Sequence, residues 1–308
     1  MSTTDTAVAN RSDTDQEEQA SVSKYLVMRS HLDIVNRKPT FEPFDDLPRY
    51  WVDGHKGLTQ FNNIFSLVIP EGEKFFIRSV MRVKKDIKDP QLLDDIISFS
   101  KQEAHHAKAH IEFNNVLRKH GYDVDGFTKF TKRYFYVVEK FLPAKIALAL
   151  TVFMEHLTAV MAEGAHRFPE LQEGLPKEAR DFWDWHAVEE MEHKSVAFDV
   201  LTEIGGGYFT RTLTAGIFIT LCIISMTFIT PVLMILGMMT NRGKDKPAEK
   251  SVTLKELEAM RPGVMGEWNK FVWQSFKKYF HPGFHPWQND DIEYITRWRE
   301  KNTLRSNE

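Results

Sequence analysis

Two Glu-x-x-His pairs, Glu103-Ala-His-His106 and Glu190-Met-Glu-His193, each lie inside a stretch that reads as a helix. Residues three apart on a helix share a face, so each pair can aim one carboxylate and one imidazole at the same point. This constrains the fold more than any other feature. The two helices must face one another, and each needs a partner helix carrying one more inward carboxylate if two metal ions are to be held between them. One such pair arises readily by chance in a chain with 12 histidines. Two pairs, each preceded by a lone glutamate in an apolar helical segment, are a far more specific signal than solvated helical charge.

The first partner segment begins near Pro70 and runs PEGEKFFIRSVMRV. Glu71, in its first turn, is expected to complement the helix dipole, while Glu73 sits further in and can point at the core. The second helix is expected from about Pro90 to His120. There Ile96, Phe99, Glu103, His106, His110, Phe113 and Leu117 recur at three- and four-residue steps. Glu103 and His106 therefore fall on the core-facing stripe, where unpaired charge is expensive. Metal coordination removes that objection. His110 lies one turn further on, and its role as a further ligand, a group behind a ligand or a packing histidine stays open. His105 points elsewhere.

The third helix starts after Pro143, and Glu155 interrupts its centre among Val152, Phe153, Met154, Leu157 and Val160. A carboxylate so placed needs a metal or a strong partner. Glu163, nearer the end, is a weaker candidate. The fourth segment, KEARDFWDWHAVEEMEHKSVAFDVLTEI, reads as one helix with His186, Glu190 and His193 spaced four and three on one face. Glu189 and Glu192 occupy neighbouring faces.

The order Glu73, Glu103-x-x-His106, Glu155, His186-x-x-x-Glu190-x-x-His193 resembles the di-iron carboxylate bundle, in the histidine-rich variant typified by para-aminobenzoate N-oxygenase. The phrases PEGEKFF, QEAHHAKAHIEFN, WHAVEEMEHKSVAFDV and FHPW also resemble a bacterial family catalogued as predicted metal-dependent hydrolases, over roughly residues 40 to 295. The ligand pattern implies oxygen chemistry; the catalogue description implies hydrolysis. The ligand pattern implies metal ligands at Glu73, Glu103, His106, Glu155, His186, Glu190 and His193. Glu103 and Glu190 would bridge, and Glu73 and Glu155 would be terminal.

Composition fits a helical intracellular chain of 308 residues. A net charge of −3 lacks the basic field of a nucleic-acid binder. The single cysteine, Cys222, excludes an internal disulfide and fits a reducing compartment. Residues 1 to 22 are rich in Ser, Thr, Asp, Glu and Gln and read as a disordered tail without a secretory signal. Residues 38 to 64, with several prolines and aromatics, read as an irregular arm on a bundle spanning 65 to 205.

From Thr212 to Asn241 there is no charged residue. As one helix this run would extend about 45 Å, more than a bilayer core requires. Membrane contact is therefore expected. Arg242, Lys244, Lys246 and Lys250 follow it. These cations favour the cytoplasm, as does the bundle, so a hairpin turning near Ser225 to Pro231 satisfies both sides. A single span is the alternative. Residues 250 to 308 form a helical and aromatic segment; His281 and His285 lie beside helix-breaking Pro282 and Pro286 and do not make a metal site.

The expected architecture is all-α: a ferritin-like four-helix bundle with an added apolar helix or helical hairpin and a C-terminal helical segment. The expected chemistry is O2 activation at two irons, oxidising a small or lipid-like organic substrate with electrons from a donor. The alternative is hydrolysis by a two-metal activated water, for which zinc or manganese suffices. The bundle is expected at the cytoplasmic face of a membrane, with no nucleic-acid partner and a homodimer left open.

Overall fold

The computed structural model describes residues 32–38, 41–224, 252–289 and 291–305, and among them every regular element is helical, with no strand. The expected tail at 1 to 22, the turn near Ser225 to Pro231 and the cations from Arg242 to Lys250 lie outside the described residues.

Four helices make the bundle: α1 (Lys56–Met81), α2 (Pro90–Lys119), α4 (Ala144–Arg167) and α5 (Lys177–His193). α1 lies along α2, α4 lies along α5, and α1 with α4 and α2 with α5 close the ring. Proline sits where helices begin. Asp89 caps α2 by accepting from the Gln91 and Leu92 amides ahead of Pro90, and Pro143 and Pro176 precede α4 and α5.

The first helix departs from expectation. It begins at Lys56, capped by His55 Nδ1 accepting from the Leu58 amide, so Pro70 lies inside it and the irregular arm ends earlier than residue 64. An interior proline removes one amide and orphans the carbonyl four residues back. That carbonyl, Ser66 O, accepts instead from Asn114 Nδ2 of α2 at 3.0 Å. Glu71 is consequently not a first-turn residue; it is buried mid-helix and paired with Lys74 at 2.7 Å.

The fourth segment is also interrupted. α5 ends at His193, and after Lys194 and Ser195 the chain resumes as α6 (Val196–Glu203). Lys194 turns inward there to a buried ion pair with Asp291 and to Asn289 O at 2.8 Å. Between α2 and α4 the chain adds α3 (Val124–Phe141), which lies on α1 with Phe135 stacked on Phe75, centroids 5.4 Å apart.

The two larger of three apolar cores lie in the bundle. One gathers Phe75, Phe99, Leu148, Phe153 and Val200; the other gathers Trp51, Phe113, Leu117, Phe182 and Trp185. All ten are buried, and truncating any of the phenylalanines to Ala would cost about 3–5 kcal/mol.

α7 (Tyr208–Ile224) carries the described part of the uncharged run. Its inner face holds Ala215 and Phe218, the latter 6.0 Å from Phe153. Its outer stripe is apolar too: Phe209 is 81% exposed, Leu213 65%, Ile217 54% and Leu221 59%. Buried Arg211 ties α7 down by donating to Tyr279 O and, at 2.9 Å, to His281 O. α8 (Leu254–Met260), α9 (Val264–Tyr279) and α10 (Ile292–Arg305) complete the described chain; α9 lies on α4 and α10 on α5. Ala144–Arg167 is the one described helix long and apolar enough to cross a membrane, and with 72% of its apolar window buried it serves as the core of the bundle.

Candidate metal centre

Helical spacing turns the sequence pattern into a cluster. Glu73 from α1, His106 from α2, and His186 and Glu190 from α5 offer ligand atoms that all lie within 4.8 Å of one another. Glu103, Glu190 and His193 form a second such group. Glu190 belongs to both. Its Oε1 is 2.9 Å from His186 Nε2 and 3.6 Å from His106 Nδ1, while its Oε2 is 3.6 Å from His193 Nε2. Glu155 joins the second group, 3.5 Å from His193 Nε2. Glu103 stands 3.0 Å from His193, in that second group.

All seven side chains are buried. Both carboxylate oxygens of Glu73, Glu103 and Glu155 lack a hydrogen-bond partner, as do Glu190 Oε2, His106 Nδ1 and His193 Nε2. Leaving so many buried acceptors unpaired would cost on the order of 1–3 kcal/mol each. Four buried carboxylates and three buried imidazoles aimed at one place are a donor set that suits divalent metal. The residues present fit a metal centre.

Electrostatics agree. Burial, then the charges of Glu103, Glu190 and Glu155, push the Glu73 carboxyl well above the usual range. Burial with Glu103 and Glu190 does the same to Glu155, and burial raises Glu103 against the pull of His193. Against its own burial, Glu190 is held well below the ordinary value by the neighbouring imidazoles of His186 and His193. Burial and the neighbouring His186 depress His106. His193, against burial, is raised by Glu103 and Glu190.

Behind His186 and His193 stand partners that fix their orientation, as metal-bound histidines require. His110 is one of them, and its tautomer can be derived. Ser66 O can only accept, so the Asn114 atom facing it is Nδ2, and Asn114 Oδ1 must then accept from the Ser66 hydroxyl at 2.8 Å. With its proton so used, Ser66 Oγ accepts from His110 Nδ1 at 2.8 Å. His110 Nε2 is therefore an acceptor and takes the proton of His186 Nδ1, also at 2.8 Å. His186 Nε2 is left with its lone pair towards Glu190 Oε1. Two acceptors 2.9 Å apart demand a proton or a metal ion between them.

Of the remaining partners, Gln102, Arg37 and Arg299 were not singled out by sequence. His193 Nδ1 bonds Gln102 Oε1 at 2.8 Å, and Gln102 Nε2 donates to Glu192. Glu192 is held in turn by Arg37 and Arg299. Glu189 Oε2 lies 3.2 Å from His106 Nε2, and burial pushes its pKa up to about 8 despite Arg37. Glu163 stays out of the cluster, bound to Arg167 and Asn289.

The description predicted metal-dependent hydrolase matches residues 35–290, well over half the chain. The chain belongs to that family. The match agrees with the second of the two resemblances and joins a metal-dependent family to a buried His/Glu cluster. No curated protein and no solved structure matches the chain, so nothing beyond the ligand pattern links it to the di-iron oxygenases.

Proposed function

We propose that this member of the family is a dinuclear metal enzyme that oxidises an apolar, lipid-like substrate with O2 at the cytoplasmic face of a membrane. The observation that carries the reading is the gathering of seven buried donors, four of them carboxylates and Glu190 at their centre. Two bound irons would supply the redox chemistry of O2 activation, using an external electron donor. The chain's own part is to hold the ions through Glu73, His106 and His186 on one side, Glu103, Glu155 and His193 on the other, and Glu190 between. Its aromatic and aliphatic walls exclude water and admit apolar reactants. The outward stripe of α7 supports the membrane assignment, because contiguous exposed apolar surface of this kind favours a lipid or protein neighbour.

Hydrolysis is the second reading, and the family description favours it. In that case zinc or manganese would polarise a water, with no change of oxidation state. Metal analysis followed by turnover with and without O2 separates the two. Consumption of O2 by the reduced protein, with its oxygen or a new double bond in the product, supports oxidation. Cleavage of an ester, amide or phosphate under nitrogen, lost in Glu190→Ala, replaces that reading with hydrolysis. Membrane contact is tested by fractionation: the protein should stay with membranes in high salt, since apolar burial is insensitive to screening.

A further inference from the structure

A cavity of about 250 Å³ runs from the cluster towards the surface. Its floor is His186 and Glu190, so it meets the ligand set on the side of Glu73 and His106 and not on the side of His193. Phe61 and Phe65 of α1 form one wall, Met161 and Ala165 of α4 another, and Trp183 of α5 stacks on Phe65 with centroids 6.0 Å apart. Leu257, Met265 and Trp268, from the helices that follow the uncharged run, roof it over. Trp268 can lie that close to α4 because residue 164 is glycine; a Cβ there would collide with its ring.

We propose that this cavity binds the substrate, and that its occupant is an uncharged, unbranched hydrocarbon chain whose inner end reaches Glu190 and His186. The inference rests on the reading of the cluster as the reacting centre and names what that centre acts upon. Charge decides against an ionic ligand. The cation at the cavity wall, Arg261, is spent on Asp53 through two hydrogen bonds of 2.8 Å, so the pair presents no net charge to an anion. The carboxylates of the floor belong to the metal donors. Size decides for a slender ligand, since about 250 Å³ falls below the ~300–1,000 Å³ of ordinary small-molecule pockets. A segment of protein would be too bulky to reach the floor and would seal the cluster. Met161 and Met265 let the walls adapt to a flexible chain.

The test uses the full chain without metal, so that binding is read apart from turnover. Straight 1-bromoalkanes quench tryptophan on contact, and Trp51, Trp183 and Trp268 all line the cavity. Affinity should rise about fourfold per added methylene, the equivalent of its burial, and then level off at the chain length that fills the space. A bromoalkylammonium of equal length should bind at least tenfold more weakly. Ala165→Phe, and independently Met161→Trp, should weaken the neutral chain at least tenfold while leaving metal content unchanged. Absence of quenching, the outcome expected if another part of this chain or a second copy fills the cavity, overturns the proposal. So does quenching that ignores both chain length and the two cavity-filling variants. Saturable, length-dependent binding in a protein that turns over no hydrocarbon substrate when metal-loaded would leave the cavity assignment standing and reject the reading of the cluster as the reacting centre.

Discussion

Glu155 offers a prediction whose sign should invert with metal. The side chain is 1% exposed, neither oxygen has a hydrogen-bond partner, and its nearest cationic neighbour is His193 at 3.5 Å. Consider Glu155→Gln in the metal-loaded protein first. Replacing a carboxylate ligand by an amide that weakens metal a hundredfold removes about 2.7 kcal/mol of ligand-derived stability. At roughly 2–4 °C per kcal/mol for a domain of this size, the melting temperature should fall by about 5–11 °C. Now remove the metal. Burial, with Glu103 and Glu190, raises the folded-state pKa of Glu155 above its unfolded value. The stability tied to its proton is then fully present below the unfolded pKa and lost as pH rises through the folded pKa. Gln cannot ionise and escapes that loss, so the metal-free variant should melt at or above the metal-free wild type, with the gap widening between pH 5.5 and pH 8.5. Differential scanning fluorimetry with and without chelator measures all four states. An equal drop in melting temperature with and without metal would mean that Glu155 supports the fold by contacts of its own, and the ligand argument would fail.

Asn114→Leu should cost about 1–3 kcal/mol in urea unfolding, because it strands the Ser66 carbonyl that Pro70 cannot serve. Through His110 it should also weaken metal binding roughly 10–100-fold, read by competition with a chromophoric chelator. His156 is buried against Ser275 O, and burial lowers its pKa to about 4. Its contribution is therefore present above the unfolded pKa of about 6.5 and lost as pH falls towards 4, a loss of about 2 kcal/mol by pH 5 that His156→Gln should not show in urea unfolding at pH 7.5 and 5. Arg211→Met leaves the Tyr279 and His281 carbonyls without their donor, so it should cost about 2–6 kcal/mol and expose α7 to limited proteolysis.

The features legible in sequence were those set by local periodicity. Three- and four-residue spacing placed Glu103, His106, His186, Glu190 and His193 on inward faces, and the apolar surroundings of Glu155 marked it as unusual; the structure draws all of them, with Glu73, to one place. The boundaries of α2 and α4 followed from Asp89-Pro90 and Pro143, residues that act on their own neighbours. Legibility ended where a partner far along the chain decides the local outcome. Pro70 reads as a helix start because the residue that lets it sit inside α1, Asn114, lies on another helix. The same distance hid Gln102 and Glu192, whose role appears only when Arg37 and Arg299 arrive from opposite ends of the chain.

Glu189 shows a different limit. It adjoins Glu190, and with the two side chains set about 100° apart on one helix, periodicity assigns them to different faces. That assignment is correct, yet it implies solvent for Glu189, whereas α5 is enclosed on that side as well. Glu189 approaches His106 from behind, at 3.2 Å from Nε2, while Glu190 faces Nδ1 of the same ring at 3.6 Å. One imidazole thus lies between two consecutive glutamates. A helix buried on two faces between polar groups cannot be recognised by an apolar stripe, and the Glu-Glu-Met-Glu-His run is the only sign of it in sequence.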